Sequence, residues 1–310
     1  MSSSTSTGAR QRFGDRLFSG SATGAGILIL VILAGVAMFL IVEALPALFA
    51  DPARLPGGEG LVSYVGPLLF GTLLASIIAL LVATPLAIGI ALFISHYAPR
   101  RLSRGLGYLV DLLAAVPSVV YGLWGIFWLA PRLTPGYEWL AENANWLPFF
   151  AGPASSTGRT MLTAGLVLAV MILPVITAIS REVFLQVPTL HEEAALALGA
   201  TRWEMIRYAV LPYGKSGIIG GAMLGLGRAL GETMAVALVL SISGGVTFNL
   251  ISSGNPGTIA ANIALQFPES SGIAVNTLIA SGLVLFLVTL AVNMLARYIV
   301  NRRADFSGAN

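Results

Sequence analysis

From Gly24 to Leu48 the chain carries one charged residue, Glu43, and five further apolar runs follow near 65–96, 107–131, 159–180, 216–243 and 272–297. This repetition constrains the fold more than any motif does. A run of about 20 apolar residues is long enough to cross a bilayer as a helix. Helices and closed barrels are the structures that satisfy every backbone group in lipid, and barrel strands alternate apolar with polar residues instead. Composition agrees, with 56% hydrophobic and 10% charged residues against about 25% charged in soluble domains. The sequence therefore predicts an all-α, polytopic membrane protein with six transmembrane helices.

The same composition excludes several chemistries. There is no cysteine, and His96 and His191 are the two histidines, too few for a histidine metal cluster. A net charge of +3 and a pI near 9.4 would suit a nucleic acid, but the basic residues lie between apolar runs, where they set topology. No nucleic-acid partner is expected. With a cytoplasmic N-terminus, the inner segments hold Arg10, Arg12, Arg16, Arg100, Arg101, Arg104, Arg181, Arg202, Arg207, Lys215, Arg297, Arg302 and Arg303. The outer segments hold Arg54, Arg132 and Arg159. The expected division is a cytoplasmic tail at 1–23, a first helix and outer loop at 24–64, a core at 65–297 with a long inner loop at 181–215, and a cytoplasmic tail at 298–310. Residues 1–23 look like a signal-peptide n-region, but the run behind them is too long for a cleaved segment.

Smaller features leave alternatives open. Trp139, Trp146, Phe149 and Phe150 in the outer stretch 132–158 fit an aromatic belt at the lipid interface, or a docking surface for an outside partner. Pro85, Pro117 and Pro174 fall inside predicted spans, which implies either a kinked bundle around a cavity or ordinary bending. Asp111 and Glu43, near span ends, read as structural.

The inner loop is strongly patterned. Thr189 with Glu192, and Thr201 with Glu204, each have the spacing of a capping box, and Gly199 between them suits a helix end that needs positive φ. The loop reads as helix, glycine turn, helix, the first exposing Ala194, Ala195 and Leu198 as a small apolar face for a partner's groove. Downstream, "AVLPYGKS" (Ala209–Ser216) approximates a phosphate-binding loop, but Pro212 interrupts it and no strand pattern precedes it. Lys215 reads as an interfacial anchor. No nucleotide site is expected in this chain.

The fifth run, "GLGRALGETMAVALVL", holds Arg228 and Glu232. Arg228 lies about 20 Å along a helix axis from Lys215, near the bilayer midplane. A charge there costs about 2.5–3.5 kcal/mol on insertion scales. Glu232 is one turn further on, so both side chains share a face and can pair. Gly217, Gly221, Gly225, Ala235 and Val239 fall near the same face. Such a stripe either lets helices pack closely or leaves room beside the cation for an anion.

Two stretches carry a resemblance. "EEAALALG" with Leu211 and Pro212 resembles the EAA signature of ABC importer permeases: Glu193, Ala194, Ala195, Gly199, Leu211 and Pro212 are in register, with Ala209 where Ile is usual. The resemblance implies a coupling helix seated in an ATP-hydrolysing subunit. "GLGRALGETMAV" and "DLLAAVPSVVYGLWGIF" (Asp111–Phe127) resemble the PstC-type permeases of phosphate-specific ABC importers. That family implies a type I ABC importer permease fold in the prokaryotic plasma membrane, with Arg228 and Glu232 acting in phosphate translocation. It implies no cofactor in this chain, ATP and Mg being held by the partner ATPase. The implied partners are a PstA-type second permease, a PstB-type ATPase dimer, a PstS-type binding protein, inorganic phosphate and membrane lipid. Arginine's planar fork suits phosphate oxygens, and Glu232 is expected to hold Arg228 when substrate is absent. Rival readings are import of sulfate or molybdate, or proton-coupled transport through Glu232, against which the EAA-like loop argues.

Overall fold

Helix α1 (Phe13–Leu48) opens the computed structural model, which describes residues 13–304. It begins well before residue 24, so much of the expected N-terminal tail is helical. Then follow α2 (Leu61–Leu92), α3 (Arg100–Ala114), α4 (Ser118–Trp124), α5 (Ala130–Asn143) and α6 (Met161–Leu185). The inner loop supplies α7 (Thr189–Ala197) and α8 (Arg202–Met205). The chain ends with α9 (Leu211–Leu230), α10 (Met234–Val239), α11 (Ile259–Gln266) and α12 (Ile273–Ala304). Single π-helical turns join α2 to the following loop, α4 to α5, and α8 to α9.

Helix α6 is the centre of the bundle, with 14 of its 25 residues buried. Its main neighbour is α2, and the sequence shows why the two fit. Gly71, Ala75, Ala79, Ala83, Ala87 and Ala91 recur every fourth residue and are all buried. Lipid tails are as apolar as leucine, so membrane helices associate through close packing, which small residues permit. By contrast α1 packs mainly along α12. Its C-terminal end is fastened by Asn276 Nδ2, which donates to the Glu43 carbonyl at 2.7 Å, and by a small cluster of Ala44, Ala47, Leu55 and Ala280.

Among the described residues, four helical stretches are long and apolar enough to cross a bilayer: Phe18–Leu48, Leu61–Tyr97, Met161–Leu185 and Ile273–Tyr298. The other two expected crossings are broken. The predicted 107–131 span is α3 followed by α4 and α5, bent by 93°. Proline at 117 has no N–H to donate and disfavours helical backbone at Val116, so α3 stops at Ala114. Pro85 and Pro174, in contrast, lie within continuous helices. The predicted 216–243 span is α9, a break at Gly231–Thr233, and α10. Helix α9, which carries Lys215 and Arg228 as well as six glycines, is not among the four crossing stretches. The final helix runs to Ala304, beyond the expected end at 297.

Asn255 closes the end of the bundle at which α6 begins. It is wholly buried, donates to the Arg159, Ser241 and Ser252 carbonyls, and accepts from the Met161 amide at 3.1 Å. One side chain thereby ties three loop segments to the start of α6.

Candidate functional site

The break in the fifth run decides the site. Helix α9 ends at Leu230, and the buried Glu232 carboxylate accepts a hydrogen bond from the Ala235 amide at 2.9 Å. Thr233, the residue just before α10, makes no side-chain cap. Glu232 does that work, placing negative charge where unpaired N–H groups gather.

Arg228 is held from the other side. Its Nη1 donates to the Ala114 carbonyl at 3.1 Å, while the Tyr121 hydroxyl donates to the Leu113 carbonyl at 2.8 Å. Both carbonyls belong to the last turn of α3: that of Leu113 also accepts from the Val116 amide at 3.3 Å, whereas the residue three on from Ala114 is Pro117, which has no N–H to give it. The cation therefore rests at the negative end of a helix. Arg228 and Glu232 form no ion pair; among the described residues the pairs are Arg181–Asp111 at 3.7 Å and His96–Glu192 at 3.4 Å. The expectation that Glu232 holds Arg228 is corrected. A one-turn spacing joins two side chains only on an unbroken helix, and this helix ends between them.

Beside Arg228 lies an open cavity of about 590 Å³, lined by Val175, Gly220, Met223, Leu224, Gly227, Arg228 and Asn293. Among the described residues that line it, Arg228 and Asn293 alone bring polar side chains. The two readings of the glycine stripe separate here. Side chains at Gly217, Gly221 and Gly225 would run into Val183, Ile179 and Ile176 of α6, so these glycines serve packing. Ala235 and Val239 lie against Gly122 and Gly125. Gly220 and Gly227 have open space where a Cβ would stand, and these two leave room beside the cation. Sequence reading missed Asn293, whose signal was the one amide side chain between Leu278 and Leu295 in the apolar middle of α12, and Tyr121.

The loop between α6 and α9 forms a second compact unit. Gly199 has φ +87°, as a helix end requires, and Thr201 with Glu204 makes the capping box in full. The Thr201 amide and hydroxyl hold the Glu204 carboxyl below its ordinary pKa. The other expected box does not form. Pro188 precedes α7 as its uncapped N-cap, and Glu192 turns instead to His96. The face expected from Ala194, Ala195 and Leu198 divides. Glu193, Ala194 and Leu198 point outward, Leu198 being 90% exposed. Ala195 packs inward on a cluster of Ala91, Leu92, Phe184, Val187, Met205, Ile206 and Val210. Leu211 and Pro212 open α9, proline standing in the first turn where a missing N–H is harmless. Ala209–Ser216 is helical throughout, so it offers no loop to cradle phosphate. On the opposite side, Trp139 and Trp146 are exposed, as either reading of 132–158 requires.

A bundle of long apolar helices with a short helical pair projecting between α6 and α9 is the architecture of ABC importer permeases. It superposes with a TM-score of 0.56 on a bacterial ABC transporter involved in the import of the acidic polysaccharide alginate, covering 93% of this chain and 99% of that one at 17% identity. The inward-facing MetNI methionine ABC transporter gives 0.51, covering 78% and 95% at 16% identity. At the level of sequence the match is closer. The profile of the binding-protein-dependent transport system inner membrane components matches residues 83–305, and the chain belongs to that family. It is 47% identical over 306 residues to the phosphate transport system permease protein PstC 2 of Mycobacterium tuberculosis, covering 95% of this chain and 94% of the relative. It is 44% identical over 303 residues to PstC of Mycobacterium leprae, covering 94% of each.

Proposed function

We propose that this chain is the permease subunit of an ATP-driven inorganic phosphate importer and that Arg228 is its anion contact. One observation carries this reading of the site: Arg228 is steadied by a backbone carbonyl, not by a carboxylate, at the edge of an open cavity. A guanidinium has five N–H donors in a planar fork, so donors remain for a phosphate oxygen while the helix end offsets its charge. A carboxylate in that place would compete with the incoming anion directly. Gly220 and Gly227 keep the approach clear. Glu232 shapes the break by capping α10, which sets the pitch at which Arg228 meets α3.

The remaining parts of the machine follow from the family. A second, PstA-type permease would close the open side of the cavity, and a PstB-type ATPase dimer would bind ATP and Mg and seat the Leu198 face of α7. A PstS-type protein would deliver phosphate from outside. The excess of Lys and Arg supports both termini and the α7–α8 loop lying in the cytoplasm.

The test is uptake of labelled phosphate by cells carrying Arg228→Lys, with membrane content of the complex measured alongside. Lysine is a point charge and does not serve the Ala114 carbonyl and a substrate as a rigid fork does. Uptake is expected to fall about tenfold or more, the scale of a lost charge-assisted bidentate contact. Normal uptake in that variant overturns Arg228 as the anion contact. Competition by sulfate and molybdate separates phosphate from other oxyanions.

A further inference from the structure

Helix α7 buries none of its nine residues fully, yet it is the element that must pass on a push from below. Its half-buried edge is formed by Glu192 and, one turn on, Ala195, and beside it the His191 ring meets Tyr213 of α9 edge-on at 6.4 Å. Ala195 rests on the inner apolar cluster. Glu192 Oε1 lies 3.4 Å from His96 Nε2, at the inner end of α2, where the His96 side chain is only 9% exposed. Behind it, His96 Nδ1 is 2.7 Å from Ser95 Oγ, and Ser95 Oγ is 2.8 Å from the Ala91 carbonyl. Ser103 Oγ donates to the Ile94 carbonyl at 2.8 Å, bracing the same π-helical turn.

The protons can be followed. Ser95 has a single hydroxyl proton. If it goes to the Ala91 carbonyl, a protonated His96 donates from both ring nitrogens, one to Ser95 Oγ and one to Glu192, and the contact is an ion pair. If it goes to Nδ1, the neutral ring still donates from Nε2 to Glu192. The contact therefore survives in either protonation state. At 3.4 Å it is long for a hydrogen bond, so a small advance of α7 tightens it and a small retreat parts it.

From the standing proposal that α7 seats the ATPase, we infer that His96 and Glu192 form the latch through which displacement of α7 reaches α2. Helix α2 then carries the motion along its alanine stripe to α6, whose Val175 walls the cavity. Both are positioning residues, acting on the substrate path through α2 and α6.

The readout is coupling: phosphate moved per ATP hydrolysed, measured on the intact complex with its ATPase in sealed vesicles. His96→Ala and Glu192→Ala should each lower that ratio roughly threefold or more, with the ATPase still bound, and the double variant should match either single one. His96→Gln, which keeps an N–H donor for the carboxylate, should restore most of the ratio. Glu192→Ala lies on a helix with no buried residue, so it remains informative if His96→Ala fails to fold. An unchanged ratio in Glu192→Ala, or additive losses in the double variant, overturns the latch. A wild-type complex without ATP-dependent phosphate uptake overturns the function itself.

Discussion

Glu232 and Arg228 show how one side chain's neighbours alter what its charge is for. A carboxylate in the membrane interior invites the reading of a counter-ion, but Glu232 is committed to the Ala235 amide. Its shape as an acceptor matters more than its charge. Glu232→Gln keeps a carbonyl oxygen for that amide and should retain uptake within a few-fold of wild type. Glu232→Leu leaves a buried N–H unpaired, at about 1–3 kcal/mol, and should lose both assembled complex and transport. Uptake assays paired with quantitation of the complex check this; equal loss in both variants would restore the ion-pair reading. The residues at stake were evident in the sequence. The partner of Arg228, a carbonyl of a helix over a hundred positions upstream, carries no sequence signal at all, and that of Glu232, the Ala235 amide, becomes free only because the helix breaks.

Among the elements, α9 uses its glycines in two ways that their spacing alone does not distinguish. Gly217 faces Val183 and Gly220 faces open space. Gly217→Leu should therefore separate α9 from α6, an overpacking cost of about 1–3 kcal/mol, and lower the amount of complex recovered from membranes. Gly220→Ala should leave that amount unchanged. Thermal melting of the detergent-purified complex should rank the two variants the same way. The helix–glycine–helix reading of the inner loop holds because Thr201, Glu204 and Gly199 act through their own backbone. The Thr189–Glu192 box had the same local pattern and did not form. A tertiary partner, His96, takes Glu192, which local spacing has no means of foretelling.

For the molecule as a whole, the chain's lack of cysteine makes its orientation directly measurable. A single cysteine placed at exposed Ala197 should react with an impermeant thiol reagent only from the cytoplasmic side, and one at exposed Ser156 only from outside. Labelling in whole cells and in inverted vesicles checks both, and the opposite pattern would reverse the topology inferred from Lys and Arg. The same experiment bears on α7, since a loop on the outer side has no access to ATP.

The all-α membrane class, the short helical pair in the inner loop and the two interior charges followed from the sequence alone. Each rests on local quantities: apolar run length, capping chemistry and the solvation cost of an ion. Tertiary structure decided that two of the expected spans are broken, that Arg228 and Glu232 rest on different helix ends, and that Asn293 joins the cavity. Those outcomes depend on which orphaned carbonyl or amide lies within about 3 Å of a side chain. Only the path of the folded chain sets that distance.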